Sequence, residues 1–316
     1  MAKDTYWLVD SLAIVPTLLW VMAPRQSQRD FPNERKDKRT YEAFLPKIGV
    51  LVQLSGENQL YANLSRSFEA PSFVDLFPFG PTFSPSSPEL RPLSAQKATT
   101  LEVGSRGTCG ALGWDVAFYH SWVTQELLTL LNPQGTVPVT RNADRTRHLG
   151  VEVGNSIVLA KGLVHRPQDG KPLPCSPDQD RILLRQSYLW SDFFFDHDPQ
   201  LGNLSLGGVP EHFYRAQLLY EHPCGFYAGP NVEWVPQRYP ADHANTLFSP
   251  GYTIMGFDLG WHSLKNGWSF FLSARNLSDE KYIALVRPTA DARGKDASVF
   301  LPGEGRAVYG GIQWSW

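Results

Sequence analysis

The sequence has no hydrophobic run long enough for a membrane-spanning helix, few cysteines and almost no net charge. The longest apolar stretch, residues 12–24, is shorter than the roughly 20 residues that such a helix needs. Three cysteines without a CxxC pair argue against a disulfide framework and against a zinc site. A net charge of −2 provides no basic surface for nucleic acid.

No export signal is visible in this sequence. A secretory signal has a positively charged start, an apolar stretch and a cleavage site of small residues. Lys3 precedes the apolar stretch here, and "VMA" (21–23) resembles a cleavage site. However, Asp4 and Asp10 also precede the stretch, and Pro24 would follow the cut, which is unfavourable. We therefore interpret residues 12–24 as a β-strand.

Apolar and polar residues alternate along most of the chain, and no segment shows a useful helical period. At the C-terminus, Ile312, Trp314 and Trp316 share one face of a strand, and Gln313 and Ser315 share the other. This two-residue period indicates β-structure. Tryptophan on an apolar terminal face suits a membrane interface, although a last strand in a soluble sandwich has the same pattern.

The pattern predicts about thirteen strands, and many of them are long. Soluble strands are usually about 5–6 residues long, whereas tilted barrel strands need about 9–11 to cross a membrane. Aromatic residues make up 13% of the chain, with ten tryptophans. The predicted strands lie near residues 4–9, 13–26, 45–55, 58–69, 95–107, 111–125, 147–160, 181–196, 210–221, 225–238, 252–263, 267–277 and 305–316.

The connections between these strands alternate in length. Long ones are predicted at 70–94, 126–146, 197–210, 239–251 and 278–304, and short ones at 55–58, 107–113, 221–225 and 263–267. Residues 161–180 break the rule, because they are long where a short turn is due. Outer-membrane barrels have short periplasmic turns and long extracellular loops. We therefore predict an all-β, antiparallel transmembrane β-barrel.

Several stretches resemble one family, the TonB-dependent outer-membrane receptors. "SARNLSDEKY" (273–282) is similar to their penultimate-strand signature. "YANLSRSFEAPSF" (61–73), followed by "LRPLSAQKATTLEVGSRG" (90–107), resembles their mid-barrel strand, large loop and return strand. "GVEVG" (150–154) and the aromatic last strand fit as well. The resemblance covers roughly residues 45–316, and the order and spacing of the motifs are specific.

The resemblance implies a barrel of about 22 strands that an N-terminal plug closes. Such receptors sit in the Gram-negative outer membrane and take up scarce nutrients, mostly ferric siderophores, with energy from the TonB complex. The expected partners are outer-membrane lipid and the barrel-assembly machinery, for which Trp314 and Trp316 resemble the recognition signal. The family implies neither an enzyme nor a cofactor other than the transported ligand.

The chain departs from the family in its strand number. About thirteen strands place the two chain ends at opposite rims, whereas a complete bacterial barrel has an even count. We find no plug-like segment and no energy-coupling box. An open sheet also leaves two unpaired edges in lipid. The expectation is a single partial barrel domain over residues 1–316, the C-terminal part of a truncated receptor that does not transport alone.

Candidate site residues fall into two groups, each with an alternative role. Charged residues on the predicted inner face contact the plug or solute, or form a network among themselves. Residues in the outer loops bind ligand, or pack and solvate the loops. The inner-face set is Glu102, Arg106, Glu152, Arg215, Glu233, Asp258 and Arg275. The loop set is Phe77, Phe79, Phe83, His243, Arg287 and Arg293, and for His243 a solvated loop histidine is the favoured interpretation.

The cysteines and the remaining polar residues suggest no catalysis. Cys109, Cys175 and Cys224 fall in predicted periplasmic turns, and an oxidising periplasm allows a bond between Cys175 and Cys224, although the odd count opposes a designed pair. The chain has no GxSxG elbow and no zinc-ligand spacing. The alternative function is a secreted soluble β-sandwich or propeller that stacks carbohydrate on tryptophan. A barrel enzyme would need a Ser–His pair at one strand end, and none is evident.

Overall fold

The computed structural model describes residues 2–3, 5–29, 35–76, 90–131, 138–164, 179–263 and 267–315. Nearly all of its regular structure is β-strand. In chain order the elements are β1 (Ala2–Lys3), β2 (Tyr6–Val9), β3 (Leu12–Arg29), β4 (Arg35–Ser55), β5 (Asn58–Glu69), α1 (Phe73–Leu76), β6 (Gln96–Cys109), β7 (Leu112–Leu131), β8 (Pro138–Lys161), β9 (Arg181–Phe195), β10 (His212–Glu221), β11 (Phe226–Val235), β12 (Tyr239–Pro240), β13 (Phe248–Ser249), β14 (Tyr252–His262), β15 (Trp268–Arg275), β16 (Ile283–Val286), β17 (Phe300–Pro302) and β18 (Ala307–Trp314). Within the described residues, no helix has both the length and the apolar character needed to cross a bilayer.

One antiparallel meander contains all strands except two small hairpins, β12–β13 and β16–β17. Each long strand pairs with its neighbours in sequence. Both β1 and β2 pair with β3, so they share one edge position and the sheet has thirteen positions. The predicted all-β antiparallel fold and its strand number are confirmed. Among the described pairs, β18 contacts neither β1 nor β2, which leaves two sheet edges.

The two faces of the sheet differ sharply in polarity. Side chains alternate across each strand, and here the solvent-accessible outer face carries the large apolar residues. Ile312 is 79% exposed, and Trp20 is 59% exposed. A contiguous apolar surface of this kind marks a membrane or partner contact. Further members of this face are Phe44, Leu64, Val103, Phe118, Trp234, Met255, Phe257, Leu272 and Trp314.

Aromatic side chains cluster at both ends of this outer face. Near the short turns lie Trp114, Phe226, Trp261, Trp268 and Trp314, and near the long connections lie Trp20, Phe44, Trp122, Trp190 and Trp234. The Trp268 and Trp314 rings stack with centroids 5.9 Å apart. Transmembrane barrels carry such aromatic girdles at both interfaces of an apolar band. Trp316 lies outside the described residues.

The predicted long loop at 126–146 is wrong. Strands β7 and β8 continue to the pair Leu131↔Pro138, and β3 and β4 likewise continue to Arg29↔Arg35. Beyond the apolar band both strand faces meet water, so the hydrophobic alternation that marks a strand disappears. The structure also gives the facing of β9, in which apolar and polar residues do not alternate strictly. Leu189 and Phe193 point inward while Trp190 points outward, so both faces are mixed.

The short turns hold two of the three cysteines. Cys109 is a free, exposed thiol, and Cys224 is disulfide-bonded. Cys175 lies outside the described residues, so its bond to Cys224 stays a prediction.

Gly229 on β11 permits a close approach to β10. A Cβ atom at this position would lie 1.8 Å from the Leu218 carbonyl oxygen, and a backbone atom cannot move aside without breaking the ladder. We expect Gly229→Ala to destabilise the folded chain by about 1–3 kcal/mol through overpacking. Urea unfolding in detergent micelles measures this. In the control Gly154→Ala the nearest atom is 3.7 Å away, so equal losses in both variants would contradict the steric explanation.

Candidate lumen and loop site

The strand register places all seven predicted inner-face residues on the polar face of the sheet. Arg106 lies opposite Asp115, Arg215 opposite Glu233, and Asp258 opposite Ser273. Glu102, Glu152 and Arg275 belong to the same face by the same register. The face carries two neighbouring cavities.

The first cavity, of about 520 Å³, lies against β9–β15 and is built around an ion pair. Nε and Nη2 of Arg215 donate to Oε2 of Glu233 at 2.8 and 2.6 Å. The Tyr252 hydroxyl donates to Oε1 of the same carboxylate at 2.9 Å. The Arg215 guanidinium also lies 4.9 Å from the Phe213 ring centroid. Arg215 and Glu233 therefore neutralise each other's charge. For these two residues the structure agrees with a network among inner-face charges rather than with contact to a plug or solute.

The carboxylate of Asp258 is also fully hydrogen-bonded, in this case by neutral side chains, whereas Arg275 has no such partner among the described residues. Oδ2 of Asp258 accepts from Asn231 Nδ2 at 2.6 Å and from Gln217 Nε2 at 3.0 Å, and Oδ1 accepts from Ser273 Oγ at 2.6 Å. Arg275 also lines the first cavity, and its guanidinium carbon lies 5.2 Å from the ring centroid of Tyr309. Within the described part of the chain it has no carboxylate partner, so it is the cation of this cavity that is available to an anion.

The second cavity, of about 600 Å³, lies against β5–β10 and is acidic. Glu102, Asp115 and Glu152 line it, together with inward tyrosines. Nε of Arg106 donates to Gln59 Oε1 at 2.9 Å. Asp115, which is not among the seven predicted inner-face residues, joins this cavity through its position opposite Arg106 on the neighbouring strand.

Two tyrosines of the acidic cavity lie over glycines of the next strand. A Cβ atom at Gly104 would be 2.3 Å from the Tyr61 ring, and one at Gly150 would be 2.3 Å from the Tyr119 ring. Each glycine therefore provides the space in which the tyrosine ring covers the backbone of the next strand, as in aromatic rescue of strand glycines. Rings in this position do not extend into the cavity.

The long connections at one end of the sheet fold together into a compact unit, here called the loop cap (residues 196–211, 236–251 and 276–306). It contains the hairpins β12–β13 and β16–β17. Backbone bonds join the connections, such as Gly208 N to Pro240 O at 2.7 Å. The loop cap has an apolar core of Tyr239, Ala241, Val286 and Val299, which packs with Val235 at the end of β11.

Asp242 is the polar centre of the loop cap and is fully buried. Its carboxylate accepts from the backbone N–H of Thr246, Leu247 and Ala292 at 2.8, 3.0 and 2.8 Å, and from the Thr246 hydroxyl at 2.5 Å. Burial raises the pKa of Asp242, but these hydrogen bonds outweigh that effect and lower it below the ordinary value. Nothing in the sequence around Asp242 marks it as such a centre.

His243 is buried, so the expectation of a solvated loop histidine is wrong. The side chain is 4% exposed, because Phe195 covers one side with ring centroids 5.4 Å apart. Its Nδ1 accepts from Gly207 N at 3.1 Å. Burial lowers the pKa of His243 to about 4, against the opposing charges of Glu126 and Asp242. The ring therefore joins two connections of the loop cap rather than facing solute.

The other predicted loop residues divide into two sets. Arg287 and Arg293 are exposed on the loop cap, and within the described residues neither forms an ion pair. Phe77, Phe79 and Phe83 lie outside the described residues, so their role stays a prediction. In the part of the chain that the structure describes, no group of three or more His, Cys, Asp or Glu side chains is placed to hold a metal ion.

Comparison with known proteins agrees with this architecture. Residues 4–277 match the sequence model of the family described as TonB dependent receptor-like, beta-barrel. No curated protein sequence matches. Similar solved structures include the copper transporter OprC, with a TM-score of 0.72 and 18% identity over 99% of this chain and 46% of that one. The ferric citrate transporter FecA in its unliganded form has a TM-score of 0.67 and 18% identity over 96% of this chain and 42% of that one. The ferric yersiniabactin uptake receptor FyuA from Yersinia pestis is also similar, with a TM-score of 0.65 and 16% identity over 98% of this chain and 43% of that one.

These likenesses concern the fold, and the chain spans less than half the length of each of these solved structures. The family match covers most of the chain and includes the motifs at 61–73, 90–107 and 150–154, and it ends within the motif at 273–282. The chain therefore belongs to the family of TonB-dependent receptor β-barrels.

Proposed function

We propose that this chain forms part of the wall of an outer-membrane receptor that takes up a ferric siderophore with energy from the TonB complex. The observation that carries the proposal is the inverted polarity of the sheet. An exposed apolar outer face with two aromatic ends backs a polar inner face with cavities, and a folded loop cap lies at one end. Lipid outside and solute inside account for both faces.

The chain alone does not transport in this proposal. Two open sheet edges in the described residues need further strands, because unpaired backbone groups in lipid each cost several kcal/mol. TonB, the barrel-assembly machinery and bilayer lipid act on the complete receptor, which has no enzymatic activity. Reading the DNA upstream of the Met1 codon tests this part. Coding sequence for more strands and a plug supports it, whereas a promoter and ribosome site there contradict it.

Membrane location is tested by mixing the detergent-folded chain with liposomes and floating them through a density gradient. We expect the chain to float with the liposomes and to stay with them after a urea wash, because the outer face is apolar. A chain that remains soluble without detergent, and that binds oligosaccharides, would instead support the carbohydrate-binding alternative.

Solute binding is tested at Arg275, the cavity cation without a carboxylate partner. We expect Arg275→Ala to weaken binding of an anionic ferric tris-catecholate by about tenfold, equivalent to about 1.4 kcal/mol. Binding of a neutral ferric trihydroxamate should change little. Tryptophan fluorescence quenching in micelles measures both affinities. The control Arg145→Ala removes a charge on β8 that already has an acidic neighbour at 3.9 Å, and equal losses in both variants would contradict a site at Arg275.

A further inference from the structure

Strands β4 and β5 separate part of the way along their length. Their pairing ends at Lys47↔Ser65, whereas β4 stays paired with β3 to Arg35, and β5 stays paired with β6 to Glu69. The wall therefore contains a gap between two hairpins, here called the wall cleft. On the inner side, β4 side chains close it by hydrogen bonds to the backbone of residues 90–93.

On the outer side the wall cleft is a cavity of about 350 Å³. Trp20 and Phe44 form its apolar part, and Arg66, Lys97 and Glu42 form its charged part. Arg66 lies on the outer face with Leu64, since the two are two residues apart on β5. The cavity therefore opens toward the surface that the apolar side chains cover.

The wall cleft lies where the apolar band ends. Trp20 pairs with Phe44 in the aromatic end next to the long connections, and beyond them the outer face of the same hairpin becomes polar, with Gln26 opposite Lys38. In a bilayer this is the level of the lipid headgroups. Backbone groups along a gap at this level need polar partners, since hydrocarbon provides none.

The charges of the wall cleft favour an anion. Arg66 and Lys97 are exposed, and in the described part of the chain neither side chain has an ion-pair partner. Glu42 is the single carboxylate among the residues that line the cavity. Two cations against one carboxylate leave a net positive charge next to two aromatic rings.

We propose that the wall cleft binds a phosphate-bearing lipid of the outer leaflet. Arg66 and Lys97 bind the phosphate through charge-assisted hydrogen bonds, and an acyl chain packs along Trp20 and Phe44. Glu42 accepts from headgroup hydroxyls. This inference rests on the membrane location proposed above.

The test is a calorimetric titration of the full chain, folded in a nonionic detergent, with dihexanoyl phosphatidic acid. Dihexanoyl phosphatidylcholine and inorganic phosphate are titrated in parallel. We expect phosphatidic acid to bind more tightly than either. The double variant Arg66→Ala/Lys97→Ala should bind it at least tenfold more weakly. The control Lys36→Ala/Lys38→Ala removes the same charge from the outer face of β4 at two residues that do not line the cavity, and it should bind like the unmodified chain.

Three outcomes overturn the proposal. Equal weakening in both double variants would mean diffuse attraction, and equal binding by inorganic phosphate would mean a plain anion site. Unchanged affinity in the Arg66→Ala/Lys97→Ala variant would mean no role for the cleft. Liposome flotation of the same samples separates these results from the location proposal. A chain that floats but fails the titration loses only the lipid site, whereas a chain that does not float loses both.

Discussion

Replacing Asp242 by alanine is expected to unfold the loop cap while the sheet stays intact. Three buried backbone N–H groups and one hydroxyl lose their acceptor. Each buried unsatisfied group costs about 1–3 kcal/mol, and water entry relieves part of this, so we expect a loss of about 3–5 kcal/mol in loop-cap stability. Asp242→Asn keeps one acceptor oxygen and should lose less.

Hydrogen exchange at the amides of Thr246, Leu247 and Ala292 measures this loss directly. In Asp242→Ala these amides should exchange orders of magnitude faster, while those of β14 and β15 keep their protection. The control Asp296→Ala removes an exposed carboxylate of the same loop cap and should leave exchange unchanged. Loss of protection throughout the sheet would show that the loop cap is not a separate unit.

The second large effect is loss of loop-cap stability as pH falls from 6.5 to 4. The pKa of His243 is about 4 in the folded state against an ordinary 6.5, so the unfolded state binds the proton first. The stability contributed by neutral His243 is therefore complete above pH 6.5 and lost as pH falls through this window. The shift corresponds to about 3 kcal/mol at most. Asp242 titrates below this window because its pKa is lowered.

Hydrogen exchange of the loop-cap amides at a series of pH values measures this dependence. His243→Asn places an uncharged acceptor near the position of Nδ1, so it should retain most stability at pH 7 and lose the dependence between pH 6.5 and 4. His262→Asn, a control at an exposed histidine, should keep the dependence of the unmodified chain. A loop cap equally stable at pH 7 and 4.5 would show that His243 does not control it.

The sheet was predictable because two solvents impose opposite demands on alternate residues. Phe118 must face one side of β7 and Tyr119 the other, so the two-residue period marks the strand and its facing. The same reasoning placed Glu102 and Asp258 on the inner face. It failed where the two environments become alike, in the ends of β7 and β8 above the apolar band, and where both faces are mixed, in β9.

The loop cap was not predictable, because its order comes from contacts between distant residues. The bond from Ala292 N to Asp242 joins residues 50 positions apart, and no local pattern marks either partner. His243 illustrates the result. From sequence, a histidine in a polar connection is expected to be exposed to solvent, yet neighbouring connections bury His243.

The two inner cavities differ in net charge, so the inner face of the sheet is more negative on one side than on the other. Carboxylates of β6–β8 line one cavity, and Arg275, which has no carboxylate partner among the described residues, lies in the cavity formed by β9–β15. The electrostatic potential therefore changes from one side of this wall to the other, and clefts between low-dielectric walls focus such fields. In the proposed receptor, a solute with separated charges would turn its negative end toward Arg275, so the wall would select the orientation of the solute as well as its charge.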